Sequence, residues 1–235
     1  MRRVLVTRPE PGASETARRL AEMGFEPLVL PLTETVPLPA AIHAEAVDVV
    51  AVTSPNAIRH APQSVFDALK GKPVYAVGRR TGDAARAAGL HVVDDEAGDA
   101  ERLSRRIDAA FAAPCHVTVL CGQVRRDVLE TRLMEAGHRP RLIEIYDTLP
   151  LEPSDAAVQS LIGDRPVDDV LLYSANGAFQ LARLMARSGV GKKLAAATYY
   201  CLSERIAEAL GPDVAKTARI ADFPAEDRLL LLLKT

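Results

Sequence analysis

Two kinds of apolar pattern alternate along the chain and predict a repeated strand–helix order. Short, continuously apolar runs such as residues 47–52 are typical of buried parallel strands. Stretches with apolar residues near helical spacing follow them, for example from Ser14, a candidate N-cap, to Gly24. Residues 4–7, this helix and residues 25–30 form one βαβ unit, so the chain is predicted to be α/β.

The same pattern continues to the end of the chain. Helices are predicted at about residues 100–112, 126–136 and 155–161, and after Ser203. Further strands are predicted at residues 73–77, 91–93, 115–120, 170–173 and 197–202.

Three segments recur in the same order. Residues 20–27 resemble residues 133–140, residues 47–57 resemble 167–177, and residues 75–78 resemble 200–203 more weakly. The offsets are 113, 120 and 125 residues. Such a repeat predicts two similar lobes, although similar turns after strands are an alternative source of the match.

Two extended, proline-punctuated stretches, residues 28–37 and 141–150, are interpreted as crossings between the lobes. Paired side by side, they would form a short antiparallel ladder and a hinge. The predicted fold is α/β, with two similar lobes of mostly parallel sheets flanked by helices and joined by two crossing strands. The expected boundaries are residues 1–32 plus 150–235 for the outer lobe, 39–144 for the inner lobe, and 33–38 with 145–149 for the links.

Composition narrows the range of partners and compartments. The 235 residues are 48% hydrophobic and 26% charged, with a formal net charge of −2, so neither nucleic acid nor an anionic membrane is an expected partner. The three cysteines form no CxxC pair, which favours a reduced, cytoplasmic chain. The first residues are expected to form a strand and not a signal peptide, and the apolar run 229–233 is too short to span a bilayer.

Small or hydroxyl-bearing residues follow the predicted strands and open the helices. Ligands of open α/β sheets bind beyond the carboxyl ends of strands, where free backbone N–H groups favour anions. The alternative is that serines 54, 174 and 203 only cap helices. With nearby arginines, the candidate binding residues are Thr7, Arg8, Thr53, Ser54, Asn56, Gly78, Arg79, Thr81, Gly122, Arg125, Ser174, Asn176, Ser203 and Arg205.

Several other chemistries lack their motifs. The sequence has no GxGxxG or phosphate loop after a strand, no GxSxG elbow and no HExxH, and its five histidines are scattered. It also lacks the acidic cluster that a receiver-like signalling domain would carry after its first strand. We therefore expect a site without metal or nucleotide, built from hydroxyls, backbone N–H groups and arginines.

In order and spacing, several short motifs resemble the uroporphyrinogen-III synthase family almost from end to end. Each motif is weak alone, and the order of the set is the specific feature. They are residues 4–9 (VLVTRP), 53–57 (TSPNA), 76–78 with Thr81, 120–122 with Arg125 and Arg126, 144–146 (EIY), and 172–176 (LYSAN).

The resemblance implies a two-lobed, cofactor-free lyase of heme biosynthesis, which we expect to be monomeric. Its substrate would be hydroxymethylbilane, a polycarboxylate linear tetrapyrrole. The reaction would remove the terminal hydroxyl as water and close the ring with the last pyrrole inverted. The interlobe tyrosine of the family corresponds to Tyr146, which would donate a hydrogen bond to the leaving hydroxyl. The alternative for Tyr146 is a packing role in the ladder.

One segment departs from the family pattern. Residues 201–206 (CLSERI) lack the glycine and the paired threonines that the family has there, although Arg205 offers another carboxylate contact. This departure leaves open an inactive, diverged relative. A two-lobed protein that binds an anionic small molecule or tetrapyrrole without turnover is the alternative function.

Overall fold

The computed structural model describes residues 1–42, 47–187 and 189–234. The chain divides into two units: unit 1 is Met1–Glu34 with Leu149–Thr235, and unit 2 is Thr35–Thr148. Unit 2 is therefore inserted into the sequence of unit 1. His43, one of the histidines considered above, lies outside the described residues. None of the described helices is both long enough and apolar enough to cross a membrane.

Strands and helices alternate along most of the chain. The strands are β1 (Arg3–Val6), β2 (Glu26–Val29), β3 (Thr33–Pro37), β4 (Val49–Val52), β5 (Pro73–Ala76), β6 (His91–Asp94), β7 (His116–Gly122), β8 (Arg139–Pro150), β9 (Asp169–Leu172), β10 (Thr198–Cys201) and β11 (Arg219–Ile220). The helices are α1 (Gly12–Glu22), α2 (Pro55–Arg59), α3 (Gln63–Ala68), α4 (Arg79–Ala87), α5 (Ala100–Ala110), α6 (Val128–Glu135), α7 (Asp155–Ile162), α8 (Ala175–Met185), α9 (Val190–Leu194), α10 (Glu204–Glu208), α11 (Pro212–Ala215) and α12 (Glu226–Leu231).

The strands form two sheets that are mostly parallel. One sheet has the order β11-β10-β9-β1-β2, and its neighbouring strands run parallel. The other has the order β3-β8-β7-β4-β5-β6, and its strands from β8 to β6 run parallel. The predicted class, α/β with mostly parallel sheets flanked by helices, is confirmed.

Five strands of unit 2 repeat the strand order of unit 1. The unit 1 sheet, read from its β2 edge, has the order β2-β1-β9-β10-β11. The unit 2 sheet, read from β8, has the order β8-β7-β4-β5-β6, so each strand of the first list corresponds to the strand at the same place in the second. The turns that lead into β2 and β8 contain Gly24 and Gly137, whose φ angles are +86° and +87°. Glycine reaches this region without steric cost. The repeated segments of the sequence thus occupy equivalent places in the two sheets.

The two extended stretches pair with each other in an antiparallel ladder. Leu38 N donates to Ile145 O at 2.8 Å, and Leu151 N donates to Leu32 O at 2.9 Å. Between these two pairs the residue number rises from 32 to 38 along the first stretch and falls from 151 to 145 along the second. β3 and β8 therefore run in opposite directions. The ladder that the sequence predicts is therefore present.

The central strands are buried on both faces, which explains their uninterrupted apolar runs. Every residue of β1, β4 and β9 is buried. Leu5, Val170 and Leu172 pack with Leu181 in unit 1. Since aromatic residues make up only 4% of the sequence, the cores are mainly aliphatic.

Two sequence-based expectations about helices are wrong or incomplete. Ser14 is not the N-cap of α1: the helix begins at Gly12, after Pro11. Both the amide and the hydroxyl of Ser14 donate to the Glu10 carboxylate, at 2.9 and 2.8 Å. The apolar pattern also does not predict α3, α9 and α11, which span six, five and four residues and show too little of a helical period.

The carboxylate of Glu226 anchors α12 within unit 1. Its side chain is 8% exposed and accepts from Arg8 at 3.1 Å and from Arg19 at 2.9 Å. It also accepts from the hydroxyls of Thr16 at 2.5 Å and Tyr173 at 3.1 Å. The Arg8 guanidinium lies 4.4 Å from the centre of the Tyr173 ring. A buried carboxylate is stable in such a place because cations and hydroxyls surround it.

We expect Glu226→Gln to lower the free energy of unfolding by about 3 kcal/mol. This is the low end of the ~3–5 kcal/mol for breaking a buried ion pair, because Arg19 is partly exposed. The exposed pair Arg18–Glu22 provides the control, since Glu22→Gln should cost only about 0.3–0.5 kcal/mol. Urea unfolding of both variants measures the difference, and equal losses would contradict an anchoring role for Glu226.

Candidate functional site

Three neighbouring strands of unit 2 end along one edge of its sheet. β4 pairs in parallel with both β7 and β5, so the residues that follow them meet at that edge. They are Ser54 after β4, Gly78 after β5, and Gly122 at the end of β7. β8 adds Tyr146, the register partner of Gly122.

The ring of Tyr146 is buried against Gly122. Tyr146 is 9% exposed, and a Cβ atom at position 122 would lie 2.6 Å from its Cζ and 2.9 Å from its hydroxyl oxygen. Gln123 N donates to the carbonyl of Tyr146 at 2.8 Å, directly beside this contact. Gly122 is therefore required for space: any side chain would displace the phenol.

Burial and the side chain of Ser54 act on the Tyr146 phenol in opposite directions. Burial raises the pKa of Tyr146, and the interaction with the Ser54 side chain offsets part of that rise. The phenol is thus protonated at neutral pH and can donate a proton. The Ser54 oxygen also accepts from Asn56 N at 3.2 Å, which caps α2.

Two residues that the sequence analysis does not single out adjoin this phenol. The rings of His60 and Tyr146 have centroids 5.8 Å apart and are tilted by 31°. His60 Nε2 and Thr35 Oγ1 are 2.8 Å apart and share a hydrogen bond. His60 ends the short helix that Ser54 caps, and its partners on β3 and β8 are too far along the chain for a sequence pattern to indicate it.

Arg125 holds the turn after β7 in place. Its Nε donates to Glu130 at 2.9 Å, and its Nη1 donates to Glu144, also at 2.9 Å. The same Nη1 is 3.5 Å from the carbonyl of Gly122 and 3.3 Å from that of Gln123. With two carboxylates already beside it, this guanidinium orients the turn and is largely neutralised.

The turn after β5 is more open. Gly78 is the N-cap of α4 with an extended φ of −171°, and an added Cβ would meet no atom within 4 Å. The N-cap residue makes no side-chain hydrogen bond to the backbone N–H groups of the first turn of α4. This favours an anion at the start of the helix. Arg79 is 82% exposed, with Glu96 3.7 Å away. Thr81 is buried, whereas Thr53, beside Ser54, is only half-buried.

The corresponding edge of unit 1 contains two further serine turns. Ser174 caps α8 by accepting from Gly177 N at 3.0 Å. Asn176, in the same turn, accepts from Gln180 at 3.4 Å. Ser203 stands at the N-cap of α10 but makes no side-chain cap bond, so capping alone does not explain it.

The first strand ends in residues that are engaged inside unit 1. Thr7 is 1% exposed, and its hydroxyl donates to Leu171 O at 3.2 Å. Arg8 is occupied by Glu226 and Tyr173 as described above. Arg205, in the first turn of α10, is exposed. The cationic candidates thus divide into internally paired and solvent-facing side chains.

The described parts of the chain, 1–42, 47–187 and 189–234, contain no group of three or more His, Cys, Asp or Glu residues suited to hold a metal ion. The arrangement instead offers a protonated phenol, hydroxyl groups and the starts of several helices. These groups can bind anions and donate protons.

Comparison with known proteins identifies the family of this chain. The family model for uroporphyrinogen-III synthase HemD matches residues 14–230. The chain belongs to the uroporphyrinogen-III synthase family. The predicted resemblance is therefore confirmed.

Solved structures of synthases share the fold. A uroporphyrinogen-III synthetase from Helicobacter pylori superposes with a TM-score of 0.67 at 16% identity, over 100% of this chain and 99% of that one. A mutant uroporphyrinogen III synthase from the extremely thermophilic bacterium Thermus thermophilus gives a TM-score of 0.57 at 16% identity, over 100% and 98% of the two chains. At 16% identity, the similarity to these two structures shows a shared fold and nothing further.

The segment that departs from the synthase family pattern keeps a regular strand–helix structure. Cys201 ends β10 and is fully buried, and Ile206 is buried in the core of unit 1. Ser203 and Arg205 lie between them, at the start of α10. Ser203 is half-buried and Arg205 is exposed, whereas Cys201 and Ile206 on either side of them are buried.

The two serine caps allow a matched pair of substitutions. We expect Ser54→Ala and Ser174→Ala each to lower stability by about 0.5–2 kcal/mol through the lost cap. Carboxylate binding should weaken only modestly in both, because backbone N–H groups remain as donors. Ser54→Ala should also lower turnover, since it alone removes a partner of Tyr146.

Thermal unfolding and the binding of a tetrapyrrole carboxylate measure these effects. Loss of binding in a well-folded Ser174→Ala variant would mean that the hydroxyl itself is a ligand. Equal turnover in the two variants would count against a role for the contact between Ser54 and Tyr146.

Proposed function

We propose that this chain catalyses the reaction of its family, the cyclisation of hydroxymethylbilane to uroporphyrinogen III with loss of water. The observation that carries the proposal, beside family membership, is the buried and protonated Tyr146 at the strand-end edge of unit 2. A phenol that stays protonated is suited to donate a hydrogen bond to a hydroxyl of the substrate. Under this proposal the protein is a hydro-lyase of heme biosynthesis that needs no cofactor.

The chemistry requires little more than assistance to a leaving group and control of geometry. The pyrrole nitrogen supplies the electron pair that expels the terminal hydroxyl, which leaves as water when it takes up a proton. Tyr146 would donate the hydrogen bond to that hydroxyl. The substituted carbon of the last ring then attacks the methylene carbon that lost the hydroxyl, which gives a spiro intermediate. The older bond from this ring carbon to its methylene bridge breaks, and the bridge bonds instead to the unsubstituted α-carbon of the same ring. Loss of the proton from that carbon restores the pyrrole, leaves the ring inverted and balances the proton taken up by the leaving hydroxyl. Holding the flexible chain in the attacking geometry is an orientation effect.

The substrate carboxylates would bind where the sheets leave donors free. The starts of α2, α4 and α8 present backbone N–H groups at Ser54, Gly78 and Ser174. The exposed Arg79 and Arg205 add positive charge beside such turns. Arg8 and Arg125 would instead shape their turns, because carboxylates of the protein already pair with both.

Several finer features belong to the same proposal. Two lobes, residues 1–32 with 150–235 and residues 39–144, would be joined at the links 33–38 and 145–149. The protein would act as a monomer in the cytoplasm. The free and buried thiols of Cys115, Cys121 and Cys201 suit a reducing compartment.

The product isomer tests the proposed function directly. We expect the purified protein, given freshly generated hydroxymethylbilane, to form the type III isomer above the type I isomer that forms spontaneously. Chromatography of the oxidised products measures the ratio. Binding of the substrate with only type I product would show a binding protein or an inactive relative in place of a synthase.

We expect Tyr146→Phe to lower turnover by about 10²-fold or less. Positioned general acids contribute about 10²–10⁴-fold, and the pyrrole nitrogen supplies much of the push here. Stability should change little, because the ring stays against Gly122 and Ser54 keeps its bond to Asn56 N.

The measurement combines turnover, isomer ratio and thermal unfolding of the Tyr146→Phe variant. A lower rate with an unchanged isomer ratio and unchanged melting supports proton donation. Unchanged turnover would leave Tyr146 with a packing role only.

A further inference from the structure

His60 makes two contacts of different kinds within unit 2. Its ring adjoins that of Tyr146, at a centroid distance of 5.8 Å and a tilt of 31°. Its Nε2 shares a hydrogen bond of 2.8 Å with the hydroxyl of Thr35, on β3. One half-buried side chain at the end of α2 thus connects β3 with the phenol on β8.

Among the groups around the buried Tyr146 ring, His60 offers support from the side. Gly122 has no side chain, and this absence creates the space in which the ring lies. The side chain of Ser54 interacts only with the hydroxyl at the far end of the ring. The separation from His60 is within the range of about 4.5–7 Å at which aromatic pairs attract each other.

The bond to Thr35 determines how the His60 ring can serve as that support. The second torsion of histidine is broad, so an imidazole held only by packing would rotate easily. A hydrogen bond from Nε2 to a strand residue restricts the ring plane. Burial and the nearby Arg59 lower the pKa of His60, so the ring is neutral at neutral pH, with one donor and one acceptor nitrogen.

We propose that His60 is a positioning residue for Tyr146, whose ring it holds in place through ring contact while Thr35 fixes the imidazole. This inference rests on the proposed function in one respect: the orientation of Tyr146 affects turnover only if Tyr146 acts on the substrate. His60 itself need not touch the substrate.

Two kinds of substitution separate the two contacts. His60→Phe keeps an aromatic ring beside Tyr146 but removes the bond to Thr35, and Thr35→Val removes the same bond from the other side. His60→Gln keeps a polar group within reach of Thr35 but removes the ring. Each should lower kcat by about 3- to 10-fold with little change in KM, well below the ~10²-fold cost of a 1 Å misplacement.

The deciding measurement is a double-mutant cycle with Tyr146→Phe. If His60 acts by orienting the Tyr146 hydroxyl, His60→Phe and His60→Gln should lower kcat in the wild-type background but not in the Tyr146→Phe background. Equal losses in both backgrounds would overturn the proposal, because a merely structural role would not depend on the hydroxyl. Unchanged kcat in all His60 variants would overturn it as well.

The exposed His91 on β6 supplies the matched control. His91→Phe and His91→Gln introduce the same side chains into the same unit and should leave kcat unchanged in both backgrounds. Thermal unfolding of every variant shows which of them are folded. If a His60 variant unfolds, Thr35→Val carries the test, since it leaves both rings in place.

A measurement without turnover separates this inference from the proposed function. In full-length protein labelled with ¹³C at tyrosine Cζ, the Tyr146 signal is assigned by its loss in Tyr146→Phe. His60→Gln should shift or broaden this signal and leave those of Tyr199 and Tyr200 unchanged. An unaltered Tyr146 signal would overturn the positioning role even if the wild-type protein makes the type III isomer. Absence of that isomer with a shifted signal would overturn only the proposed function.

Discussion

Parallel strand pairing is the constraint on which the rest of this structure depends. A parallel neighbour requires a crossover, here mostly a helix, so every central strand is covered on both faces and must be apolar throughout. Successive strands then end at the same edge of their sheet and lead into helix starts there. In unit 2 this brings Ser54, Gly78 and Gly122 to one edge, and in unit 1 it does the same for Thr7 and Ser174. The meeting of these turns at one edge of each sheet is thus a consequence of the topology, whatever chemistry the turns carry.

The two units share a strand order but carry different side chains where their strands end. In unit 2, the absence of a side chain at Gly122 admits a buried phenol. In unit 1, the equivalent edge carries Arg8, which Glu226 neutralises and Tyr173 covers. Burial raises the pKa of the Tyr173 phenol, and the nearby Glu226 carboxylate reinforces the effect. Unit 1 therefore uses its tyrosine to satisfy a carboxylate, whereas the phenol of Tyr146 interacts with the neutral side chain of Ser54.

The sequence predicts those parts of the structure that depend on neighbours along the chain. Apolar runs locate the main strands, and the Ser–x–Asn turns locate the caps at Ser54 and Ser174. Partners far apart in sequence leave no such pattern. Glu226 lies 218 residues from Arg8, so nothing local indicates that this arginine is already paired. His60 escapes for the same reason, because its importance comes from Thr35 and Tyr146 on other strands. Ser14 shows the opposite error: its residue type is favourable for an N-cap, but α1 does not begin there. Its amide donates to the carboxylate of Glu10 instead.

The division of labour between donors has a consequence for catalysis. Under the proposed function, the substrate carboxylates and the leaving hydroxyl make different demands on the protein. Donors that bind the carboxylates would hold the flexible chain in the attacking geometry, which is an orientation effect. Binding that is equal in substrate and transition state lowers KM but does not raise kcat. A group at the leaving hydroxyl would discriminate between the two, because it meets a bond that breaks. In this proposal Tyr146 and the side chains that hold its ring supply that discrimination, whereas Arg8 and Arg125, already paired within the protein, shape their turns.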